Sequence, residues 1–240
     1  MKHKIKKVVV LGLNNVGEKI LKYIKKDKNL KVYLFRKKNL PYGKIKNISP
    51  DILLSLGYRF KVDKKILTLS KIGAFNIHKS LLPMNKGANP VFWTILLNKK
   101  AGISIHRMNS KIDSGDLVMQ KKINYIISDT AKSLYEKLEI HQFLLFKIFW
   151  NKIKKGEIRK IKTFFKPSFH KKKEFRELIS LKKINKKKFF NFINLLRAST
   201  FPPFQNIILR ENDQNYQVEI NIKKIKKNKK IRYKNLLSYK

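Results

Sequence analysis

The fold class rests on residues 8–17, which read Val8-Val9-Val10-Leu11-Gly12-Leu13-Asn14-Asn15-Val16-Gly17. The β-branched run at the start of this stretch is typical of a strand that is buried on both faces. After the turn, apolar residues recur at helical spacing at positions 16, 20, 21 and 24. A buried strand that leads directly into an amphipathic helix is the first unit of an α/β sheet.

The same alternation continues along the chain. Short apolar runs at 32–35, 51–56 and 73–77 predict three further strands, and residues 88–97 predict a helix with Pro90 in its first turn. Two more strands are predicted at 101–108 and 117–127, followed by a long helix from Ser128-Asp129 to Gly156. We therefore expect an α/β fold with an open, mostly parallel twisted sheet flanked by helices, followed by a small C-terminal α+β tail.

Three regions are predicted from this pattern. Residues 1–160 form a core, and residues 161–222 form a small subdomain of a helix plus a β-hairpin. Residues 223–240 form a basic C-terminal tail, because the stretch 223–234 is a dense run of lysines. In the subdomain we expect a helix at 186–198 and a hairpin that pairs 207–209 with 218–222 across Asn212-Asp213.

The composition excludes several classes of protein. The net charge is +43, but only eight of the 58 basic residues are arginines and the lysines are spread along the chain, so we interpret the charge mainly as a solvated surface and do not expect a nucleic-acid partner. There is no cysteine, which excludes disulfides and thiolate metal sites and fits a reducing compartment. No apolar run reaches the ~18–20 residues of a membrane span, and the N-terminus does not look like a signal peptide. We expect a cytoplasmic protein without a membrane partner.

A glycine-rich turn at Gly12-x-Asn14-x-x-Gly17 is close to the dinucleotide-binding fingerprint. However, Asn14 replaces the glycine that lets a pyrophosphate approach the backbone, and the basic residues Arg36 and Lys37 follow the second strand where an acidic residue would be needed. We interpret the turn as a tight strand-to-helix connection.

Polar side chains gather at one edge of the predicted sheet. Asn76 and His78 are two residues apart at the end of a strand, so both leave it on the same face. The turn around Asp113 lies between two later strands and can return a carboxylate to that edge. An amide donor, an imidazole and a carboxylate together suit attack on a carbonyl-like carbon. Taken singly, each residue also fits a plain structural role, as a helix cap, a loop histidine or a turn former.

The combination of motifs resembles the folate-dependent formyltransferase family. The resemblance covers most of residues 1–150. It rests on four stretches, which are Asp51-Ile52-Leu53-Leu54-Ser55-Leu56-Gly57-Tyr58-Arg59, Asn76-x-His78-x-Ser80-Leu81-Leu82-Pro83, Gly102-Ile103-Ser104-Ile105-His106 and Asp113-x-Gly115-Asp116. It implies a Rossmann-like formyltransferase core with Asn76, His78 and Asp113 at the catalytic positions.

The resemblance also implies a reaction. N10-formyltetrahydrofolate donates a formyl group to a primary amine, Asn76 and His78 donate hydrogen bonds to the developing oxyanion, and no metal is needed. Asp113 either orients His78 or accepts the proton of the amine, and the sequence leaves both roles open. The family places the folate near Leu56-Gly57-Tyr58 and Asn109.

The C-terminal stretch separates the branches of the family. Arg197-Ala198-Ser199-Thr200-Phe201-Pro202-Pro203 resembles a segment of the enzymes that formylate amino sugars on nucleotide carriers, for polysaccharide biosynthesis. By that resemblance, Arg197 contacts the nucleotide diphosphate, and Lys86 is a second candidate for a substrate contact. Such relatives often dimerise through the C-terminal part, which allows a homodimer here. The alternatives are a methionyl-tRNA or glycinamide ribonucleotide formyltransferase, or a basic nucleic-acid-binding protein on the same scaffold.

Overall fold

The structure is a computed structural model that describes residues 4–179, 185–201, 204–205 and 207–222. Within the described chain, residues 4–125 and 129–170 form one compact unit, and residues 126–128 together with those from 171 onward form a second. The limits of the functional regions, placed at residues 160 and 222 from the sequence, stay predictions. The basic tail at 223–240 lies outside the described residues.

A six-stranded sheet forms the centre of the first unit, in the order β2-β1-β3-β4-β6-β7. The pairs β1–β2, β1–β3 and β3–β4 are parallel, and β6 runs antiparallel to both β4 and β7. The sheet is therefore mostly parallel, which confirms the predicted fold class. The strands are β1 (Lys7–Leu11), β2 (Lys31–Phe35), β3 (Ile52–Ser55), β4 (Gly73–His78), β6 (Ala101–Arg107) and β7 (Leu117–Ile123).

Both faces of the sheet are covered by helices, which explains the continuous apolar run of β1. Val8 and Val10 belong to one buried cluster that includes residues of α1 and α5, while Val9 and Leu11 belong to another that includes residues of α2 and α3. Because successive side chains of a strand point to opposite faces, β1 needs apolar residues at every position. The helices of this unit are α1 (Asn15–Ile24), α2 (Tyr42–Ile48), α3 (Lys64–Leu67), α4 (Pro90–Leu96) and α5 (Ala131–Lys155).

The start of α5 differs from the prediction. The cap is Thr130, whose hydroxyl accepts from the backbone N–H of Ser133 while the Ser133 hydroxyl accepts from the N–H of Thr130. Asp129 instead accepts a hydrogen bond from Ser133, and β7 ends at Ile123. The helix ends at Gly156 as predicted, because that residue adopts a left-handed conformation with φ 71°. Among the described residues, no helix combines the length and the apolar character that crossing a bilayer requires.

A small two-stranded pairing in the first unit was not predicted. It joins β5 (Lys86–Gly87) in parallel to β8 (Phe169–His170), although more than 80 residues separate them in the sequence. This pairing brings residues 168–170 against the segment that follows β4. Gly87 of this pairing contacts Asp113 in the candidate active site described below.

The second unit contains the predicted helix and hairpin. The hairpin turns at Asn212 and Asp213, which both have positive φ, as a two-residue turn requires. The predicted second strand at 218–222 starts too late, since this short turn pairs Leu209 with Tyr216, although Val218 does donate to the carbonyl of Ile207 as the prediction implies. The elements are α6 (Lys172–Ile179), α7 (Lys186–Ser199), β9 (Thr200–Phe201), β10 (Phe204–Gln205), β11 (Ile208–Glu211) and β12 (Gln214–Gln217).

Candidate active site

The carboxyl end of β4 carries the two polar residues that the sequence singled out. In this strand Asn76 lies opposite His106 of β6, and His78 lies opposite Ser104. Ser55, at the end of β3, pairs with Asn76 on the other side. Because the period of a strand is two residues, Asn76 and His78 share one face at the edge where open parallel sheets bind their ligands.

Asp113 returns to this edge from the turn between β6 and β7, as predicted. It adopts a left-handed conformation with φ 47°. Its Oδ1 atom accepts from the amide of Asn76 at 3.3 Å, and its Oδ2 atom accepts from the backbone N–H of Gly87 at 2.9 Å. The same Oδ2 atom lies 3.6 Å from Nδ1 of His78. The structure therefore brings the predicted amide, imidazole and carboxylate together.

The surroundings of Asp113 keep it ionised. Burial by itself would raise the pKa of this carboxyl, but the charge of His78, the hydrogen bond and charge of His106, and the Gly87 N–H outweigh burial. The net result is a pKa well below the usual range. A carboxylate of this kind binds a proton weakly and stabilises positive charge beside it.

His106 is the site residue that the sequence analysis did not assign. It is almost fully buried, and its Nε2 atom lies 3.3 Å from the amide nitrogen of Asn76 and 3.5 Å from Oδ1 of Asp113. Its Nδ1 atom donates to the backbone carbonyl of Arg107 at 2.8 Å, because a carbonyl can only accept. The alternation of 101–108 indicated a strand, but only the pairing with β4 places His106 beside Asn76.

The three side chains around the carboxylate do not make a metal centre. The described part of the chain contains no cluster of three or more histidine and acidic residues arranged to hold a metal ion. The polar groups instead satisfy one another through hydrogen bonds and charge. The arrangement suits stabilisation of charge on an oxygen and a nitrogen during acyl-type transfer.

The predicted substrate residue Lys86 lies one peptide bond from the group that holds Asp113. Lys86 begins β5, and its ammonium donates to the hydroxyl of Ser114 at 3.2 Å. The next residue, Gly87, supplies the N–H to Asp113. Lys86 is partly exposed, so an anionic ligand can reach its ammonium.

Three of the residues predicted to hold the folate, Leu56, Gly57 and Tyr58, directly follow β3. Leu56 is buried and accepts from the N–H of Asn14, and Gly57 packs against the Asn14 carboxamide, where an added Cβ would approach to 2.8 Å. Asn14 also caps α1 by accepting from Gly17. The Asn14 side chain thus accepts from a backbone N–H at the start of α1. This agrees with a tight turn and not with a dinucleotide site.

Tyr58 and Asn109 complete the predicted folate set. The Tyr58 hydroxyl donates to the carbonyls of Lys37 and Lys38, and thereby ties the end of β3 to the chain after β2. Asn109 lies on the exposed stretch that leads to Asp113, and its side chain accepts from the N–H of Lys111 at 2.9 Å. The binding roles of these residues stay predictions.

A comparison with sequence models of known families decides the affiliation. The model described as "Formyl transferase" matches residues 8–144, which contain the whole sheet and the site. The chain belongs to the formyl transferase family. A second model, described as the N-formyltransferase dimerization C-terminal domain, matches residues 174–224. The resemblance read from the motifs is confirmed.

Individual formyl transferases show how far the similarity extends. The bifunctional polymyxin resistance protein ArnA of Wigglesworthia glossinidia brevipalpis is 34% identical over 198 residues, which are 79% of this chain and 30% of that protein. The GDP-perosamine N-formyltransferase of Brucella melitensis is 38% identical over 92 residues, which are 38% of this chain and 36% of that protein. The chain thus spans only about a third of the length of these curated relatives.

A solved structure is similar to this chain over most of its own length. The formyltransferase PseJ from Anoxybacillus kamchatkensis, in complex with UDP-4,6-dideoxy-4-formamido-L-AltNAc and tetrahydrofolate, superposes with a TM-score of 0.63 at 28% identity. The match covers 75% of this chain and 93% of PseJ. That formyltransferase therefore shares the core fold of this chain.

The C-terminal prediction of this formyl transferase concerns Arg197 and the proline pair after it. Arg197 falls within the bounds of α7, but its side chain is outside the part that the structure describes, as are Pro202 and Pro203. Thr200 and Phe201 form β9, which pairs with β10. A diphosphate contact by Arg197 remains a prediction from the sequence.

Proposed function

We propose that the protein transfers the formyl group of N10-formyltetrahydrofolate to the primary amine of an amino sugar linked to a nucleotide. The observation that carries this proposal is the convergence of Asn76, His78 and Asp113 at the carboxyl end of β4. Two similarities support the choice of acceptor. PseJ was solved with a formylated UDP-sugar and tetrahydrofolate, and the Brucella relative is a GDP-perosamine N-formyltransferase.

The N–H groups at the site can stabilise a reacting formyl group, and this chemistry needs no metal. When bound, the folate supplies the formyl group, and the protein must stabilise the negative charge that grows on the formyl oxygen. Asn76 has two N–H groups, and each is held at the long distance of 3.3 Å, by His106 and Asp113. Contacts of this length are readily exchanged for a shorter one to an oxyanion. The loss of one such donor typically lowers turnover by ~10²–10³.

The low pKa of Asp113 favours one of its two possible roles. A carboxylate that binds protons weakly is a poor acceptor for the proton of the attacking amine. It is well suited to stabilise a positive charge on His78, whose Nδ1 atom faces it. We therefore assign Asp113 to orienting His78 and supporting its charge, while the amine loses its proton to water.

His106 completes this arrangement as a positioning residue. Its Nδ1–H is committed to the carbonyl of Arg107, so Nε2 accepts from Asn76 when the ring is neutral and faces Oδ1 of Asp113 as a donor when the ring is charged. The contact with Asn76 holds that amide with its nitrogen toward the carboxylate. The residue thereby fixes which way the amide points before substrate arrives.

The substrate contacts follow from the similarities and from charge. Lys86, whose ammonium donates to Ser114, is proposed to bind a phosphate oxygen, and Arg197 is proposed to hold the nucleotide diphosphate. The folate is proposed to lie along Leu56–Tyr58 and the loop that contains Asn109. The family match at 174–224 supports assembly of a homodimer through the C-terminal region, and the cysteine-free sequence supports a cytoplasmic location.

The other acceptors and the nucleic-acid alternative are less well supported. The C-terminal match is to a domain of N-formyltransferases. The nucleic-acid alternative is supported by the +43 net charge alone. Binding through phosphates weakens steeply as the salt concentration rises. Turnover that depends on formyl-folate and persists across a salt series would separate enzymatic formyl transfer from nucleic-acid binding.

The decisive experiment is an acceptor screen read by mass spectrometry. The full chain is incubated with formyl-folate and UDP- and GDP-linked amino sugars, with glycinamide ribonucleotide and methionyl-tRNA as competing acceptors. We expect a mass gain of one formyl group on a nucleotide sugar. Formylation of only glycinamide ribonucleotide or methionyl-tRNA would refute the proposed acceptor, and no formylation at all would refute the function.

Two matched variants test the site in the same assay. Asp113→Asn keeps the shape and tolerates the left-handed conformation, but it removes the charge beside His78, so turnover should fall by ~10²-fold or more. Asp116→Asn lies in the same loop, where its carboxylate is half-exposed and pairs with the exposed Lys160, and it should keep near wild-type turnover. Equal activity of the two variants would show that the site is assigned wrongly.

A further inference from the structure

We propose that the segment 168–170 acts through Asn85 as a positioning element that holds His78 with its Nε2 atom protonated. This inference rests on the proposed function in treating His78 as part of the formyl-transfer site. It adds three residues, Asn85, Ser168 and His170, to the machinery of that site. All of them belong to the first compact unit.

The first step is the contact that His78 makes on the side away from Asp113. Its Nε2 atom lies 2.9 Å from the backbone carbonyl oxygen of Asn85, and both groups are buried. A carbonyl oxygen has no proton to give, so Nε2 must be the donor. The Nδ1 atom is then left facing the Asp113 carboxylate. The carbonyl of Asn85 thus decides which ring nitrogen carries the proton when His78 is neutral.

The second step is that Asn85 cannot hold this carbonyl in place by its local sequence alone. Asn85 adopts a left-handed conformation with φ 52°, which asparagine tolerates better than most residues but which no regular element around it fixes. It is almost fully buried, with 2% of its surface exposed. The position of its backbone carbonyl therefore depends on the groups that surround this buried residue.

The third step identifies those surroundings. The Asn85 amide donates to the hydroxyl of Thr94 at 3.1 Å, and its Oδ1 atom accepts from Ser168 at 3.3 Å and from Nε2 of His170 at 3.1 Å. The backbone N–H of Asn85 donates to the Ser168 hydroxyl at 2.8 Å. Two of the three anchoring side chains therefore come from a segment more than 80 residues further along the chain.

The fourth step is that the position of His170 is itself well determined. Its ring stacks on that of Trp93 with centroids 4.0 Å apart and an angle of 11° between the planes. Its backbone carbonyl accepts from Ala88, within the β5–β8 pairing. The next residue toward the site, Gly87, supplies the N–H that holds Asp113. The same small sheet therefore supports both partners of the His78–Asp113 contact.

Loosening this anchor should change which ring nitrogen of His78 carries the proton. It should not change substrate binding. Without a fixed Asn85 carbonyl, neutral His78 gains access to the tautomer with the proton on Nδ1, where it donates to Asp113. The bond from Nε2–H to this carbonyl also stabilises the positive charge that Asp113 supports on His78, so kcat falls when the carbonyl is no longer fixed. The KM values for both substrates should stay within about twofold, because none of the three residues is proposed to touch a substrate.

A matched pair of variants at His170 separates hydrogen bonding from stacking. His170→Phe keeps an aromatic ring on Trp93 but removes the donor to Asn85, and His170→Gln keeps an amide donor near the position of Nε2 but removes the ring. We expect kcat to fall by ~10-fold in the first variant, the effect of losing a hydrogen bond worth about 1.4 kcal/mol, and by less than threefold in the second.

The tautomer of His78 is measured directly by ¹⁵N NMR of the histidine-labelled full chain without substrate, with His78→Gln to assign the signals. A shift of the His78 signals toward protonated Nδ1 in His170→Phe, reversed in His170→Gln, supports the proposal. An unchanged tautomer, or an equal loss of kcat in both variants, overturns it. If His170→Phe does not fold, Ser168→Ala, which removes two contacts to Asn85, replaces it under the same criteria.

This measurement also keeps the inference separate from the proposed function. The NMR comparison needs no acceptor, so it tests the Asn85 anchor even if no nucleotide sugar is formylated. Conversely, an active enzyme whose His78 tautomer and kcat ignore the His170 variants would leave the formyl transfer intact and refute only the anchor.

Discussion

Adding a single methyl group at Gly115 should displace the Asp113 carboxylate, which we propose to orient His78, while leaving the rest of the fold in place. A Cβ at this position would lie 1.7 Å from the backbone carbonyl oxygen of Arg107, whereas ordinary contact begins at 3.4 Å. The turn must therefore move by about 1.7 Å relative to β6, or the Arg107 carbonyl must yield.

Neither movement is harmless to the site. The Arg107 carbonyl accepts from Nδ1 of His106, and the N–H of Arg107 donates to the carbonyl of Asp116. If the carbonyl moves, His106 loses the contact that orients it. If the turn moves, Asp113 leaves the positions 3.3 Å from Asn76 and 3.6 Å from His78. Because a misplacement of about 1 Å at a reacting centre can lower a rate by ~10²-fold, we expect Gly115→Ala to lower kcat/KM by at least that factor.

The assay is formyl transfer to the accepted nucleotide sugar, with circular dichroism and a melting curve to establish that the variant is folded. Gly43→Ala is the matched control, because no atom lies within 4 Å of the added Cβ and Gly43 lies inside α2. That variant should keep full activity and gain up to ~1 kcal/mol in stability, since alanine is the better helix former. A Gly115→Ala enzyme within threefold of wild type would show that the turn is not held tightly against Arg107, and the geometric argument would fail.

Three further substitutions probe other parts of the chain. Burial lowers the pKa of Lys79 from 10.5 to about 8 despite its contact with Glu139, so between these pH values the unfolded chain holds a proton that the folded chain has lost. The free energy of unfolding of wild type should then rise relative to Lys79→Met by at most ~3 kcal/mol from pH 8 to 10.5, and parallel stability curves would contradict this. Ser104→Ala removes a buried hydroxyl that donates to Ser80 and accepts from Leu82 and Gln120, so urea unfolding should show a loss of ~1–3 kcal/mol, and an unchanged midpoint would be inconsistent with that network. Arg197→Ala should raise the KM for the nucleotide sugar by roughly ten- to a hundredfold while the KM for formyl-folate stays constant, with partial recovery in Arg197→Lys; if the melting temperature falls and both KM values stay put, the residue only caps its helix.

The elements of the core could be predicted because each is specified by neighbouring residues. The apolar run at Val8–Leu11 needs burial on both faces, and the structure supplies it with separate clusters above and below the sheet. Similarly, Gly156 ends α5 because a left-handed residue costs least at glycine. The placement of Asn76 and His78 on one face follows from the period of a strand, which needs no knowledge of its neighbours.

Local sequence signals give a wrong element boundary where two competing signals are close together in the chain. Both Ser128-Asp129 and Thr130 are suitable helix caps, and only the reciprocal bonds between Thr130 and Ser133 decide which residue serves. The prediction of the second hairpin strand at 218–222 follows the apolar residues of that stretch and not the register that the turn imposes. With Asn212 and Asp213 as the turn, the pairing of Leu209 with Tyr216 follows from geometry.

By itself, the sequence determined the α/β class, the motifs of a formyl transferase and three of the polar groups at the site, since these depend on residues that are near one another in the chain. Only the tertiary structure decided what surrounds those groups. His106 reaches Asn76 because β6 pairs antiparallel with β4, and His170 reaches Asn85 because β8 pairs with β5 across more than 80 residues. The register of such long-range pairings depends on how many elements pack at once, so no local pattern specifies it.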